Sequence, residues 1–241
     1  MRIRLEPSDR TALVQGIFSR VVGRYDLMNH VLSLGRDVFW RRAAAKRARL
    51  LGTGRFLDLA CGTGDLALAL VEAHPQARVI GTDFTWPMLE KAKEKIEAGG
   101  RPNRPDLAGA DALRLPFPDR AFDSVTMAFG IRNIPDRRRA LEEMHRVLWP
   151  GGRALILELT FPRWSLVRKF YETYLNRLIP KLGGLLTGQP LAYQYLADSI
   201  MDFPAPEDFL LEMQRAGFVK TSCLKMTFGI AVLHVGERAR A

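Results

Sequence analysis

Cysteine is scarce in this chain, and its scarcity excludes two classes of protein. Cys61 and Cys223 are the two cysteines among 241 residues, and they lie far apart in sequence. That spacing fits neither a metal-ligand set nor a disulfide framework. It favours two reduced thiols in a cytoplasmic protein that binds no metal.

Long apolar runs are lacking as well. No run approaches the ~20 apolar residues that a membrane helix requires, and residues 1–10 are too polar for a signal peptide. The sequence has neither internal repeats nor low-complexity segments, while 47% of its residues are hydrophobic. We therefore expect a single domain over residues 1–241 that buries a substantial core.

Acidic residues are outnumbered, because 36 Lys and Arg face 26 Asp and Glu and give a net charge of +10. Such a balance accompanies nucleic-acid or membrane binding, or reflects arginine-rich composition alone. The basic cluster Arg41–Arg49 has no interleaved aromatic side chain, which argues against single-stranded nucleic acid. We expect no nucleic-acid partner. A solvated helix face and peripheral contact with an anionic membrane both stay open for this cluster.

Strand-like and helix-like segments alternate over residues 55–159, which indicates an α/β fold with a parallel, doubly wound sheet. The predicted strands are 55–59, 78–82, 107–110, 122–129 and 153–159, and the predicted helices are 65–73, 86–98 and 137–148. Residues 150–152 are predicted to form a turn. Two strands, 218–227 and 230–235, follow a helix at 205–216 and are typical of an antiparallel hairpin.

Within the single domain the pattern predicts four parts. Residues 1–50 form an N-terminal helical lid, and residues 51–160 form the cofactor-binding core. Residues 161–204 form a helical insertion on the substrate side, before the last strands. Residues 205–241 form the C-terminal helix and hairpin.

The stretch Phe56–Asp65 is the most informative one, because an apolar strand ends there in a loop with two glycines before a helix. Gly62 and Gly64 allow positive φ and a close approach of the backbone to a ligand, and the next helix offers free N–H groups. Together with Ala67 and with Asp83 after the next strand, these glycines match the nicotinamide fingerprint in part. An acid at position 83 would bind ribose hydroxyls, which dinucleotides and S-adenosylmethionine share.

Three features favour S-adenosylmethionine over a dinucleotide. Asp58 inside the first strand suits a cationic amino-acid group and would repel a pyrophosphate. Asp111, beside Ala112 after the third strand, can accept a hydrogen bond from an adenine amino group. The terminal hairpin is not expected of a nicotinamide domain. We therefore predict S-adenosylmethionine as the cofactor.

At this point the chain resembles the class I methyltransferases, which have a Rossmann-like sheet. More narrowly, it resembles the quinone-biosynthesis C-methyltransferases, the demethylmenaquinone and polyprenyl-benzoquinol (UbiE/MenG-like) family. Four segments that span most of the chain carry this resemblance: Tyr25–Trp40, Phe129–Asn133, Arg146–Glu158 and Thr227–His234. Three positions depart from the family pattern: Asp37 is often His there, Trp149 is usually Lys or Arg, and Thr160 is usually Ser.

The resemblance implies methylation of demethylmenaquinol to menaquinol, with S-adenosylmethionine as donor and an isoprenoid quinol as acceptor. Arg132 and Asn133, just past the fourth strand, are predicted on the acceptor side, and Glu158 is a further acceptor-side carboxylate. The predicted cofactor-binding residues are Asp58, Gly62, Thr63, Gly64, Asp83, Asp111 and Ala112. Tyr25, Asp26 and Asn29 are assigned to the lid.

The long isoprenoid tail implies an apolar groove, for which the 161–204 insertion supplies candidates. They are Trp164, Leu166, Phe170, Tyr171, Tyr174, Leu178, Leu185 and Leu186. The helical spacing of Val167, Phe170, Tyr171, Tyr174 and Leu178 is also that of an ordinary core face. His234 lies in an alternating strand, so we favour a structural role over that of a base. An enzyme that takes its acceptor from a bilayer would work in the cytoplasm at the inner face of the membrane.

Several alternatives remain open. The acceptor could be the benzoquinol precursor of ubiquinone, another lipid-like molecule such as a sterol, or RNA. The chain could also be a non-catalytic scaffold that binds the cofactor. A nicotinamide dehydrogenase is a more remote alternative, and a homodimer is compatible with the sequence.

Overall fold

Seven strands build one sheet in the computed structural model, which describes residues 7–162, 164–180 and 188–240. They are β1 (Arg55–Leu59), β2 (Arg78–Asp83), β3 (Asp106–Gly109), β4 (Phe122–Ala128), β5 (Leu148–Leu159), β6 (Val219–Met226) and β7 (Ala231–Glu237). Their order across the sheet is β3-β2-β1-β4-β5-β7-β6. The first five strands are parallel, and β7 runs antiparallel to both β5 and β6. The predicted parallel sheet with an antiparallel C-terminal hairpin is confirmed.

The helices in the described ranges follow the predicted alternation. They are α1 (Pro7–Val21), α2 (Tyr25–Ser33), α3 (Arg36–Ala45), α4 (Asp65–Ala73), α5 (Trp86–Ala98), α6 (Arg137–Val147), α7 (Ser165–Thr173), α8 (Pro190–Met201) and α9 (Pro206–Arg215). Local chemistry sets their starts. The Asp136 carboxylate caps α6 by accepting the Arg139 N–H, and proline stands in the first turn of α5, α8 and α9, where its missing N–H costs nothing.

Side chains that alternate along the strands fill a buried layer on each face of the sheet. Phe56 packs with α3 and α4 on one face, whereas Leu57 packs with α6 and α9 on the other. A third cluster joins α1 and α2 to α7 and α8, with Met28, Leu175 and Ile200 at its centre. None of the helices in the described part of the chain combines the length and the apolarity needed to cross a bilayer.

The predicted lid over residues 1–50 divides into two parts. Helix α3 buries Trp40, Ala44 and Ala45 against the sheet, so it belongs to the body of the fold. Helices α1 and α2 instead share their core with the predicted insertion. We call these two helices the N-terminal lid from here on.

The predicted turn at residues 150–152 lies inside a strand. β5 begins at Leu148 and passes through it, although Gly151 has φ +82° and the pairing with β4 shifts at this point. The chain end holds the bulge in place, because the Gly151 N–H donates to the Arg238 carbonyl and the Arg238 N–H donates to the Gly152 carbonyl. Pro150 and Gly151 predicted that the strand ends here, but the hydrogen bonds with Arg238, which is distant in sequence, turn the segment into a β-bulge.

Candidate active site

The glycine loop after β1 lies where the strand order reverses, which is the usual ligand crevice of such sheets. Gly62 has φ +55° and Gly64 has φ +84°. The Gly62 N–H donates to Asp83 Oδ2 at 2.8 Å, and the Thr85 N–H donates to Asp83 Oδ1 at 2.8 Å. Burial raises the pKa of Asp83 while these hydrogen bonds lower it. The Asp83 carboxylate therefore connects the carboxyl ends of β1 and β2.

Asp58 is fully buried and has one oxygen without a partner. Its Oδ1 accepts a hydrogen bond from the Thr126 hydroxyl at 2.8 Å, whereas neither its Oδ2 nor Asp65 Oδ2 has a hydrogen-bond partner. Burial raises the pKa of Asp58 to about 7. Both carboxylates line a small cavity beside Gly62 and Thr63. Arg41 lines the same cavity with its Nη1 3.6 Å from Asp65 Oδ2, and two carboxylates against one guanidinium still fit a ligand ammonium group.

A second cavity, of about 170 Å³, opens beyond the ends of β1 to β4. Asp111 and Ala112 line it after β3, and Asp83, Phe84 and Phe129 lie on its other sides. The exposed Asp111 carboxylate accepts the Leu113 N–H at 2.9 Å, which fixes its orientation. This cavity and the ammonium-sized one share Gly62, Ala60 and Tyr25. They form one continuous site of mixed polarity.

A polar contact ties the N-terminal lid to the glycine loop. The Thr63 hydroxyl donates to Asp26 Oδ1 at 2.5 Å, and the Lys95 ammonium lies 2.5 Å from Asp26 Oδ2 and 2.6 Å from Asp65 Oδ1. The Tyr25 ring lies over Gly62. We call Asp26, Thr63, Asp65 and Lys95 the lid latch. The sequence alone does not point to Lys95 or Asp65, since nothing local distinguishes a lysine late in α5 from a solvated one.

The residues predicted on the acceptor side meet at the ends of β4 and β5. Arg132 Nη1 lies 2.5 Å from Glu158 Oε1 and donates to the Phe129 carbonyl at 2.7 Å. The Arg132 and Leu159 N–H groups also donate to the Glu158 carboxylate. This ion pair is buried and was not foreseen. Arg132 lines the neighbouring cavities, whereas Glu158 is enclosed behind it.

Asn133 and Tyr25 lie between the two predicted halves of the site, whereas Asn29 lines cavities on the predicted acceptor side alone. Asn133 Oδ1 accepts the Tyr195 hydroxyl at 3.2 Å. Burial raises the pKa of Tyr25, although a hydrogen bond with Asn29 and the positive charge of Arg132 act to lower it. Tyr25 and Asn133 each line both the cofactor-side cavity and a narrow acceptor-side cavity. The side chains of Tyr25 and Asn133 therefore form a single layer between these two cavities.

A larger cavity, of about 430 Å³, is predominantly apolar and lies on the far side of Phe129. Phe129 adopts φ +58°, which is uncommon for a non-glycine residue. The predicted groove residues Phe170, Tyr171 and Tyr174 line this cavity with Leu32, Leu34, Trp40, Val167, Leu196 and Ile230. The candidates Trp164, Leu166 and Leu178 do not line it, and Leu185 and Leu186 lie outside the described residues. An apolar chain longer than this cavity would leave it at the surface.

Asp37 and His234 are two further residues that stood out in the sequence. Asp37, which departs from the family pattern, accepts hydrogen bonds from His30 Nδ1 at 2.8 Å and from the Ser33 hydroxyl at 2.7 Å, and it pairs with Arg41. It also lines the large cavity. His234 is buried against Phe209 on the opposite side of the sheet, and burial lowers its pKa to about 4. The geometry agrees with a structural role for His234.

The described residues contain no group of three His, Cys, Asp or Glu side chains able to hold a metal.

The sheet order, the glycine loop and the antiparallel hairpin define the class I S-adenosylmethionine-dependent methyltransferase fold. Solved structures agree. A SAM-dependent methyltransferase from Thermotoga maritima superposes with a TM-score of 0.64 at 21% identity, covering 92% of this chain and 98% of that one.

The family follows from sequence comparison. The model of the ubiE/COQ5 methyltransferase family matches residues 6–238, and the chain belongs to that family. It is 50% identical to a demethylmenaquinone methyltransferase of Thermus thermophilus, covering 92% of this chain and 100% of the relative. It is 42% identical to a ubiquinone/menaquinone biosynthesis C-methyltransferase, UbiE, of Geotalea daltonii, covering 93% and 96%.

Proposed function

We propose that this enzyme transfers a methyl group from S-adenosylmethionine to a ring carbon of demethylmenaquinol, which yields menaquinol. The observation that carries the proposal is a shared wall. Phe129 lines both the mixed-polarity cavity at the strand ends and the large apolar cavity. A methyl donor and a lipid-like acceptor bound on its two sides would meet at its edge. The name of the relative that is 50% identical supports the same reaction.

The cofactor half suits the predicted donor. In the proposed complex, Asp58 and Asp65 accept from the α-ammonium group, Asp83 accepts from the ribose hydroxyls, and Asp111 with Ala112 borders the adenine. Gly62, Thr63 and Gly64 keep the loop close to the ligand. When bound, S-adenosylmethionine supplies an electrophilic methyl carbon. The chain contributes alignment, which is worth up to roughly 7–11 kcal/mol in well-oriented reactions.

The acceptor half suits a reduced ring with an apolar tail. A ring carbon beside a hydroxyl becomes nucleophilic when that hydroxyl loses its proton, so the acceptor must be the quinol. The Arg132 guanidinium faces the cavity and would stabilise the resulting oxyanion. Glu158 holds the guanidinium in place from behind, which makes Glu158 a positioning residue in this proposal. Asn133 and Tyr25 would orient the ring between them.

Arginine is a poor base because it stays protonated in proteins, so the proton has to leave by another route. The pKa of Tyr25 is raised rather than lowered, which argues against a phenolate base. Asp37 lines the cavity and is hydrogen-bonded to His30, which is half exposed. The Ser33 and Arg41 contacts lower the pKa of Asp37, so in this proposal a water molecule takes the proton and carries it to solvent.

A second candidate function is methylation of the benzoquinol precursor of ubiquinone. The relatives named ubiquinone/menaquinone biosynthesis C-methyltransferase favour it. Both acceptors present a phenolic ring and an isoprenoid tail, and they differ in ring type. In either case we propose that the enzyme works in the cytoplasm, at the inner face of the membrane that holds its acceptor.

The test is turnover with methyl-labelled S-adenosylmethionine and reduced demethylmenaquinone, reduced benzoquinone precursor, oxidised demethylmenaquinone or RNA. We expect a product heavier by one methyl group from the first acceptor and none from the oxidised quinone or the RNA. Preference for the benzoquinol would select the second candidate. Cofactor binding without turnover of any acceptor would indicate a scaffold, and a thermal shift with NAD alone would indicate a dehydrogenase.

A further inference from the structure

Exposed apolar side chains concentrate around the mouth of the large cavity. Six large apolar side chains in the described part of the chain are more than two thirds exposed, and five of them share this region. Leu34 and Phe170 line the cavity, and Phe228 directly follows the lining residue Thr227. We call the five the mouth rim: Leu34 (87% exposed), Trp164 (68%), Leu166 (70%), Phe170 (72%) and Phe228 (72%).

Two residues of the mouth rim have a strained backbone conformation. Leu34 ends α2 with φ +52°, and Phe228 lies at the tip of the β6–β7 hairpin with φ +56°. Glycine or asparagine occupies this backbone region with less strain. A bulky apolar side chain that is both strained and exposed to water gains nothing in the isolated molecule. The Trp40 indole donates to the Thr227 hydroxyl at 2.9 Å, which connects the hairpin tip to α3.

Cations accompany the rim. Arg36 lines the cavity beside Leu34, and Arg168 and Lys169 are exposed on α7 between Leu166 and Phe170. Within residues 7–162, 164–180 and 188–240 none of these three forms an ion pair with a carboxylate, and the Arg168 guanidinium lies over the Phe161 ring. Apolar side chains interleaved with unpaired cations are the pattern of a surface that enters an anionic bilayer interface.

We propose that the mouth rim docks the enzyme onto the surface of an anionic phospholipid bilayer, with the large cavity opening toward the lipid. This inference rests on the proposed function, because it gives a lipid-tailed acceptor a dry route into the cavity. Leu34 and Phe228 insert from two separate turns, and Trp164, Leu166 and Phe170 insert from α7. Arg36, Arg168 and Lys169 meet the phosphate headgroups.

The experiment is co-sedimentation with vesicles made of phosphatidylglycerol and phosphatidylcholine in equal parts, or of phosphatidylcholine alone. The wild type should bind the anionic vesicles, and binding should weaken as salt is added. Leu166→Ser combined with Phe228→Ser should weaken binding by at least about tenfold, because two bulky apolar side chains are no longer transferred from water into the bilayer. Arg168→Gln combined with Lys169→Gln should remove most of the salt dependence. The matched control is Leu211→Ser on α9, which should bind like the wild type.

Leu166 and Phe228 line none of the cavities described above, so the double variant should turn over a short-tailed, water-soluble quinol at the wild-type rate. It should lose turnover of a long-tailed quinol held in vesicles. Equal vesicle binding by the wild type and both double variants would overturn the docking surface. If the Leu166→Ser/Phe228→Ser variant differed from the wild type in molecular mass by light scattering but still bound the vesicles equally well, the mouth rim would be a contact between two copies of the chain. Absence of wild-type turnover with the soluble quinol would instead count against the proposed function.

Discussion

At the scale of single residues, the proposed cofactor half of the site contains Asp58, whose carboxylate has one oxygen hydrogen-bonded and the other without a hydrogen-bond partner. The Thr126 hydroxyl fixes the side chain, and burial raises its pKa to about 7. In the proposed complex, a bound ammonium group would restore the charge that burial disfavours. Binding of the cofactor and ionisation of Asp58 are therefore coupled.

We predict that binding of S-adenosylmethionine strengthens between pH 5.5 and 7.5, because free Asp58 loses its proton over this range. Asp58→Asn should weaken binding by about tenfold at pH 7.5 and flatten the pH dependence. Isothermal titration calorimetry measures both. The matched control, Asp106→Asn, changes an exposed carboxylate paired with Arg78 and should bind normally. An Asp58→Asn protein with wild-type affinity at every pH would remove Asp58 from the site.

The same shift predicts an effect on stability. The folded-state pKa of Asp58 lies above its unfolded value of about 3.9, so the unfolded chain releases the proton first. Its contribution to the free energy of unfolding is therefore lost between pH 4 and pH 7. Without cofactor, Asp58→Asn should gain in Tm relative to the wild type on going from pH 4 to pH 8, by calorimetry. An equal Tm difference at both pH values would contradict this.

The Arg132–Glu158 pair predicts a larger effect on stability. Glu158→Gln leaves a buried guanidinium without its counter-charge, and such changes cost about 3–5 kcal/mol. The control is Glu212→Gln, which breaks the half-exposed pair with Arg137 and should cost no more than about 1 kcal/mol. Urea denaturation compares the two variants. Similar losses in both would show that the Arg132–Glu158 pair is effectively solvated.

The sequence indicated most of the site residues but little of their pairing. Asp58, Gly62 and Asp83 follow from their positions at strand ends, because parallel strands bring those ends together. Arg132 and Glu158 were both expected near the acceptor, yet their mutual ion pair depends on side-chain direction after β4 and β5. Lys95 could not be found at all, since its partners come from two segments that are distant from it in sequence.

At the scale of elements, the alternation of strands and helices was predictable because burial imposes different periods on them. The errors arose where tertiary contacts override local signals. Pro150 and Gly151 predicted a turn, and the chain end at Arg238 converted it into a bulge within β5. The N-terminal helices look alike in sequence, although α3 packs in the core against the sheet and α1 and α2 pack with α7 and α8.

The lid latch predicts how loss of the Lys95 cation affects opening of the N-terminal lid and binding of the cofactor. Lys95→Met removes the cation between Asp26 and Asp65, so α2 should open more often and the amides of Tyr25–Ser33 should exchange faster. The affinity for S-adenosylmethionine should fall severalfold. Lys93→Met on the solvent side of α5, where Lys93 pairs with Glu97, is the control. Hydrogen exchange of α2 that is unchanged in Lys95→Met would mean that apolar packing alone holds the lid.

At the scale of the whole molecule, the fold brings two chemically different cavities to either side of one residue. The sheet supplies a polar crevice at the point where its order reverses, and the lid with α7 and α8 supplies an apolar cavity. Phe129 separates them. The family resemblance pointed to both ligands, but the shared wall emerges only from the arrangement of segments that are distant in sequence.

The mass of the quinone that accumulates in cells lacking this protein tests the central claim most directly. Our account predicts demethylmenaquinone, lighter than menaquinone by one methyl group, and restoration of the methylated quinone when the wild-type gene is returned but not when Arg132→Ala is returned. A fully methylated menaquinone pool in the deleted cells would contradict the account.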